Sequence, residues 1–333
     1  MMNFCTLFDS NYLDKGICLY NSLSRVSTDF TLFIFCFDEK SKEILCEMKL
    51  SNVVLLSNKD IEDEELLRLK AKRSKAEYCW TCTPRIIEYV LDNYNVDDCT
   101  YIDADLYFYN NPQVLFDEIK LNKANVAIAP HNFPKNNKSK RQASRYGKYC
   151  VQFNYFDQTE NGRRVLKWWK EKCTEWCFCS VEPGRYGDQK YLDRFSELFD
   201  GVHVISNLGC GVAPWNLMQY EILDGDDSYK LKVLDTDESF DIIFYHFQHL
   251  RFLEDGKVNL HSGTDSVKTK NKIYFPYLKE TIKIRENLAK KGVYFSNKIA
   301  HSSSILRRIY QLFIAPFLHK RKTDIVDMST FKD

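Results

Sequence analysis

The sequence predicts an α/β domain built on a mostly parallel central sheet flanked by helices, with a helical C-terminal tail. Two observations carry this. Short apolar runs alternate with segments of helical period through the first half of the chain, the pattern of parallel strands joined by crossover helices. One of those runs, at 99–102, ends on the paired carboxylates Asp103 and Asp105. Ligands of open α/β sheets collect beyond the carboxyl ends of the strands, so the acids stand where a site is expected.

Taken in order, 4–8 reads as a buried strand, and Leu13, Ile17, Leu19 and Leu23 follow at helical spacing. The pattern repeats with a strand at 30–37, a helix at 40–50, a strand at 53–56 and a charged helix at 60–72. A helix at 83–93, with Pro84 in its first turn, precedes the strand at 99–102. Beyond the acids lie a helix at 112–122, strands at 125–129 and 149–156, and a helix at 159–176 whose Trp168, Trp169 and Trp176 read as packing residues. The basic, Asn- and Ser-rich segment 135–148 reads as an exposed loop. No repeat or long low-complexity tract interrupts this order, so one catalytic domain is expected over 1–258. A linker and helical tail are expected over 259–333, the helix running from about 276 to 322.

Composition narrows the function. The chain has 333 residues, 44% hydrophobic and 28% charged, as in a globular protein. Its 47 Lys and Arg against 46 Asp and Glu create no global field for nucleic acid, and no nucleic-acid partner is expected. Twelve cysteines follow a start without a basic, apolar leader pattern, so reduced thiols and a cytoplasmic location are expected. No run approaches the roughly 18 apolar residues of a membrane span. Cys79 and Cys82 form one Cys-x-x-Cys pair, and no second pair at finger-like spacing completes a zinc site.

Two carboxylates one residue apart at a strand end suit a hard divalent cation, Mn2+ or Mg2+, with phosphate oxygens completing the sphere. Asp-x-Asp alone is common in surface turns. Here an apolar strand (Cys99 to Ile102) enters Asp103, Ala104 and Asp105, and an aromatic segment (Leu106 to Tyr109) then leads to Asn111 and Pro112 at a helix start. This arrangement resembles the GT-A glycosyltransferases, in particular the superfamily of glycogenin and the lipopolysaccharide galactosyltransferases, a nucleotide-diphospho-sugar transferase class with a Rossmann-like domain. The resemblance spans roughly residues 3–250.

The resemblance implies roles at matching positions. Thr6, Asp9 and Tyr12 would hold the nucleoside, although Asp9 serves equally well as a helix cap. Lys75 and Arg85 would contact the nucleotide or sugar, Asp188 and Gln189 would lie beside the transferred sugar, and His246 would join Asp103 and Asp105 as a third metal ligand. Gly187 permits the turn that projects Asp188. The chain departs from the glycogenin-like pattern after His246, where His249, Leu250 and Arg251 stand instead of a Gly and a Lys-bearing segment. Arg251 is the expected substitute cation. A Gly-bearing loop over 207–216 would offer Trp215 and Asn216 to an acceptor sugar, with packing an equal account of Trp215.

The expectation is therefore an enzyme, a hexosyltransferase-like glycosyltransferase of bacterial surface polysaccharide synthesis. It would move a sugar from a nucleotide-sugar donor, UDP-linked by resemblance, to a saccharide or lipid-linked saccharide acceptor with retention of configuration. A sugar nucleotidyltransferase is the first alternative, but no Gly-rich phosphate loop follows Phe8. A non-catalytic saccharide-binding module is the second. Segment 302–322 carries Ile305, Ile309, Leu312, Phe313 and Phe317 on one helical face beside Arg307, Arg308, Lys320, Arg321 and Lys322. It either rests on anionic lipid as a peripheral contact at the inner face of the plasma membrane or packs on the domain.

Overall fold

The computed structural model describes residues 1–225, 229–236, 238–254, 256–295 and 324–331. Its elements run β1 (Met2–Phe8), α1 (Leu13–Val26), β2 (Phe30–Cys36), α2 (Glu39–Met48), β3 (Val53–Ser57), α3 (Glu64–Lys70), α4 (Lys75–Asn93), β4 (Asp98–Ile102) and β5 (Leu106–Phe108). The chain continues through α5 (Gln113–Leu121), β6 (Val126–Pro130), α6 (Asn137–Tyr146), β7 (Tyr149–Asp157), α7 (Glu160–Glu175), α8 (Phe195–Leu198) and β8 (Val202–Val204). It ends with β9 (Tyr220–Ile222), β10 (Lys230–Val233), β11 (Ser239–Asp241), β12 (Phe244–His246), β13 (Arg251–Phe252), β14 (Lys257–Asn259), α9 (Val267–Lys290) and β15 (Ile325–Asp327).

The central sheet has seven strands in the order β3-β2-β1-β4-β7-β6-β8. The pairs β3–β2, β2–β1, β1–β4 and β6–β8 are parallel, while β7 pairs antiparallel with both β4 and β6. From β1 the chain winds outward to β2 and β3, then returns across β1 to β4. The order thus reverses between β1 and β4, and their carboxyl ends frame the crevice in which such sheets bind ligands. One apolar cluster packs α1, α2, α5 and α9 on one face of the sheet; the other packs α3, α4 and α7 on the opposite face. This accounts for strands such as β1, buried along their whole length rather than in alternation.

Three expectations change. The helix expected at 83–93 begins at Lys75, because Ser74 and Glu77 form a capping box, and Pro84 lies inside the helix rather than in its first turn. The basic segment expected as a loop contains helix α6. Its Asn and Ser residues are cap chemistry: Ser139 N donates to Asn136 Oδ1 at 2.9 Å. Helix α9 begins at Val267, before the expected start, and includes Pro276.

Helix α9 is also continuous with the core. The Tyr277 ring stacks on Phe247 at 3.7 Å, and Arg285 on α9 pairs with buried Asp14 on α1 at 3.3 Å. Apolar residues of 259–295 therefore pack in one cluster with those of the first 258. The basic amphipathic segment 302–322 lies outside the described residues. Among the described residues, no helix is long and apolar enough to cross a membrane.

Candidate active site

Strand β4 ends at Ile102, and Asp103 N donates to Gln152 O at 3.2 Å, extending the β4–β7 ladder by one bond. Asp103 therefore stands at the rim of the sheet. Tyr101 donates its hydroxyl to Asp103 Oδ1 at 2.8 Å, which orients the carboxylate. Ala104 is small and buried, so the chain turns tightly and Asp105 follows just before β5.

His246 arrives through strand pairing. Strand β12 pairs antiparallel with β5 in the register Phe244↔Phe108, Tyr245↔Tyr107, His246↔Leu106. Phe247 N then donates to Asp105 O at 3.0 Å. His246 Nε2 consequently lies 3.0 Å from Asp105 Oδ1 and 3.8 Å from Asp103 Oδ2. Its other nitrogen, Nδ1, is 2.8 Å from Gln152 Oε1. An amide oxygen only accepts, so Nδ1 carries a proton and Nε2 is the nitrogen presented to the carboxylates.

The electrostatics are those of a compact charged cluster in which His246 and Asp105 are buried and Asp103 reaches solvent. Burial by itself would lower the His246 pKa, but Asp105 and Asp103 outweigh it and hold the imidazole well above its ordinary value. Burial likewise opposes ionisation of Asp105, yet His246 and Lys15 bring its carboxyl below the usual range. Asp103 goes the other way: burial raises it, and His246 only partly offsets that. Lys15, in the first turn of α1, reaches within 3.5 Å of Asp105 Oδ2 and lies 4.0 Å over the Tyr12 ring.

These residues fit a divalent cation. Carboxylates and an imidazole whose far nitrogen is anchored by Gln152 are donor types that could hold such an ion. Among the described residues, the ligand atoms that all lie within 4.8 Å of one another come from Asp103, His246 and Cys150, two residues before Gln152 on β7, while Asp105 meets this group through His246.

Asp188 is buried, and no hydrogen-bond partner meets its Oδ2. Burial, then the negative charge of Asp103, pushes its carboxyl up to about 8. The preceding Gly187 has φ 51, the left-handed conformation expected of the turn. Trp169 Nε1 holds the Asp188 carbonyl at 2.9 Å. Gln189 is occupied elsewhere, donating to Tyr146 O at 2.8 Å and so tying α6 to the segment after Asp188.

Among the expected nucleoside residues, Thr6 is fully buried in β1 with Oγ1 unpartnered. Asp9 follows β1 as a cap, accepting from Asn11 N at 2.9 Å, and pairs with the Lys75 ammonium. Tyr12 is 44% exposed and close enough to Asp105 for that carboxylate to help raise its pKa. Arg85 is directed elsewhere: its guanidinium meets Asp63 at 3.0 Å and Glu65 at 2.7 Å on and beside α3. Arg251 is exposed on β13.

Trp215 Nε1 donates to His131 O at 2.8 Å, and its ring lies edge-on to His246 at 5.4 Å. Asn216 is 1% exposed, and its amide donates to His131 O and Gly211 O while its Oδ1 accepts from Ala213 N. That side chain braces the loop.

Sequence reasoning missed Lys15, Cys150 and Gln152. A signal existed for two of them: along β7, Cys150, Gln152 and Asn154 recur at every second residue of an otherwise aromatic and aliphatic strand. Such a polar line on a buried strand marks the face turned to a site. His131, stacked on Phe133 and pushed down to about 3 by burial, is neutral packing behind Trp215.

The comparisons agree with this architecture. No family model matches the chain. Among solved structures, the galactosyltransferase LgtC in complex with donor and acceptor sugar analogues aligns with a TM-score of 0.50 at 13% identity, over 74% of this chain and 87% of that one. An active-site mutant of LgtC aligns with the same TM-score at 12% identity, again over 74% and 87%. The fold is that of the GT-A glycosyltransferases. Two Bacillus subtilis (strain 168) proteins are similar in sequence: the uncharacterized protein YfnF, 32% identical over 268 residues (78% of this chain, 86% of YfnF), and the uncharacterized protein YfnD, 29% identical over 286 residues (83% and 87%). The chain belongs to the YfnF family.

Proposed function

We propose that this chain is a metal-dependent glycosyltransferase that moves a sugar from a nucleoside-diphosphate donor to a saccharide or lipid-linked saccharide acceptor. The observation carrying the reading is the meeting of Asp103, Asp105 and His246 at the sheet's switch point, with Asp188 close enough to sense the charge of Asp103. A Mn2+ or Mg2+ ion held there would supply Lewis-acid stabilisation for a departing diphosphate.

The chain's own residues do the rest. Asp103, Asp105 and His246 Nε2 hold the cation, and Gln152 keeps the imidazole in the ligating tautomer. Lys15, in the same cluster, adds positive charge toward a diphosphate. Buried Asp188, with Oδ2 open, hydrogen-bonds a hydroxyl of the transferred sugar and orients it. Asp9 and Tyr12, just after β1, contact the nucleoside, with buried Thr6 behind them in the strand.

UDP as the nucleotide, retention of anomeric configuration and a role in polysaccharide assembly at the cytoplasmic face of a bacterial membrane complete the reading. The test is a thermal-shift panel of nucleotide-sugars with and without Mn2+, repeated on the double variant Asp103→Ala, Asp105→Ala. Stabilisation by one donor that requires both metal and carboxylates supports the transferase and identifies the donor. Silence across the panel overturns it.

A further inference from the structure

The thiol of Cys150 has no place in the three-residue metal set of the proposed function, yet it belongs to the same cluster. A ligand atom of Cys150 lies within 4.8 Å of one from Asp103 and one from His246. The side chain is 4% exposed, so the thiol is aimed inward at these groups rather than at solvent. The backbone explains how it gets there. Between β6 and β7 the register passes from Ile128↔Asn154 to Ala129↔Cys150, a bulge at the level where Gln152 O accepts from Asp103 N. Bulges re-aim side chains beside sites, and here Cys150 and Gln152, two residues apart, both serve His246.

A second observation points to a ligand at the same place. Buried Asp188 keeps Oδ2 without a partner and lies near enough to Asp103 to feel its charge. A buried carboxylate oxygen left open near Asp103 implies a ligand that meets it. A thiol in a purely structural role sits among apolar neighbours; this one shares a cluster with a carboxylate and an imidazole.

We propose that Cys150 Sγ is a fourth protein ligand of the divalent cation held by Asp103, Asp105 and His246, and that the centre therefore favours thiophilic, borderline ions such as Zn2+, Co2+ or Cd2+ over Mg2+. This rests on the metal-dependent reading of the site. As the sulfur–metal bond forms, the thiol proton leaves to solvent, and no electron changes hands. Thiolate softens a donor set that would otherwise be hard oxygen and borderline nitrogen.

The test is titration of the full chain with Co2+, one equivalent at a time, followed by absorption. At the first equivalent a sulfur-to-cobalt charge-transfer band is expected in the near ultraviolet, lost in Cys150→Ser and also in His246→Ala, which ties it to this centre rather than to another thiol. Cys150→Ser is further expected to weaken Cd2+ by about tenfold or more while leaving Mn2+ nearly unchanged. X-ray absorption on the zinc-loaded wild-type chain needs no variant and should show a sulfur neighbour at about 2.3 Å. Co2+ bound in a His246-dependent way, with no charge-transfer band and only nitrogen and oxygen neighbours around zinc, overturns the role of Cys150 and leaves the metal site standing. Absence of binding, or binding indifferent to His246→Ala, overturns the metal-dependent reading itself, and this inference with it.

Discussion

His246 Nε2 lies 3.0 Å from Asp105 Oδ1 because β12 pairs with β5, not because the residues are near in sequence. The contact joins the strand end that carries the acids to an antiparallel partner strand from much later in the chain. Its support is Gln152, which fixes the opposite ring nitrogen. Replacing Gln152 by Leu should therefore reduce divalent-cation affinity roughly 10- to 100-fold while Asp103, Asp105 and His246 all remain. Isothermal titration with Mn2+ checks this; unchanged affinity would show that the imidazole needs no such anchor.

Gly211 leads to the same anchor from another direction. It has φ 97, and a methyl added there would come within 2.3 Å of Gln152 Nε2. Gly211→Ala is expected both to destabilise the fold and to displace Gln152, so cation affinity should fall along with the melting temperature. A variant that loses stability but binds Mn2+ as the wild type does would separate the two effects.

Asp188 should leave a signature in pH dependence. Burial and Asp103 raise its folded pKa to about 8, so in metal-free protein its contribution is most favourable below the unfolded carboxylate value near 4 and is lost as pH rises from there through about 8. Asp188→Asn removes the titration. In the presence of a chelator the variant should gain on the wild type as pH rises toward 8 and converge with it near pH 4. Denaturant melts across this range decide it; parallel curves would mean that Asp188 titrates normally. Transferase activity of the same variant should fall roughly 100-fold.

Asp98, at the other end of β4, offers a control remote from the site. Burial, offset by an Asn3 hydrogen bond and reinforced by Asp97 and Asp157, raises its carboxyl to about 6. The raised pKa means stability is lost as pH climbs from about 4 through 6. Asp98→Asn should stabilise the protein by about 2 kcal/mol at pH 8 and have little effect near pH 4, with cation binding untouched. Loss of stability at pH 8 would contradict the burial argument.

Helix α9 belongs to the core through Tyr277, whose ring stacks on Phe247 one residue after His246. Tyr277→Ala should cost about 3–5 kcal/mol, and wild-type unfolding should be one cooperative transition reported equally by far-ultraviolet and near-ultraviolet signals. Two separated transitions would mean that α9 unfolds apart from the sheet.

What the sequence by itself determined was local: the order of strands and helices, the placement of Asp103 and Asp105 at the end of a buried strand, and the turn at Gly187 that delivers Asp188. Each follows from periodicity, caps and backbone freedom over a few residues, and the same locality hides the helix at 137–146, since Asn136 reads alike as a loop residue and as a cap. Lys15, Cys150 and Gln152 became site residues only through tertiary structure. Their roles depend on the β4–β7 register, the β6–β7 bulge and the β5–β12 pairing, which are contacts between strands far apart in the chain. The same holds for residues that propensity and resemblance sent to the site: Arg85 turns to acids beside α3, and Asn216 spends its amide on backbone carbonyls, because buried polar groups take the partners that packing brings them.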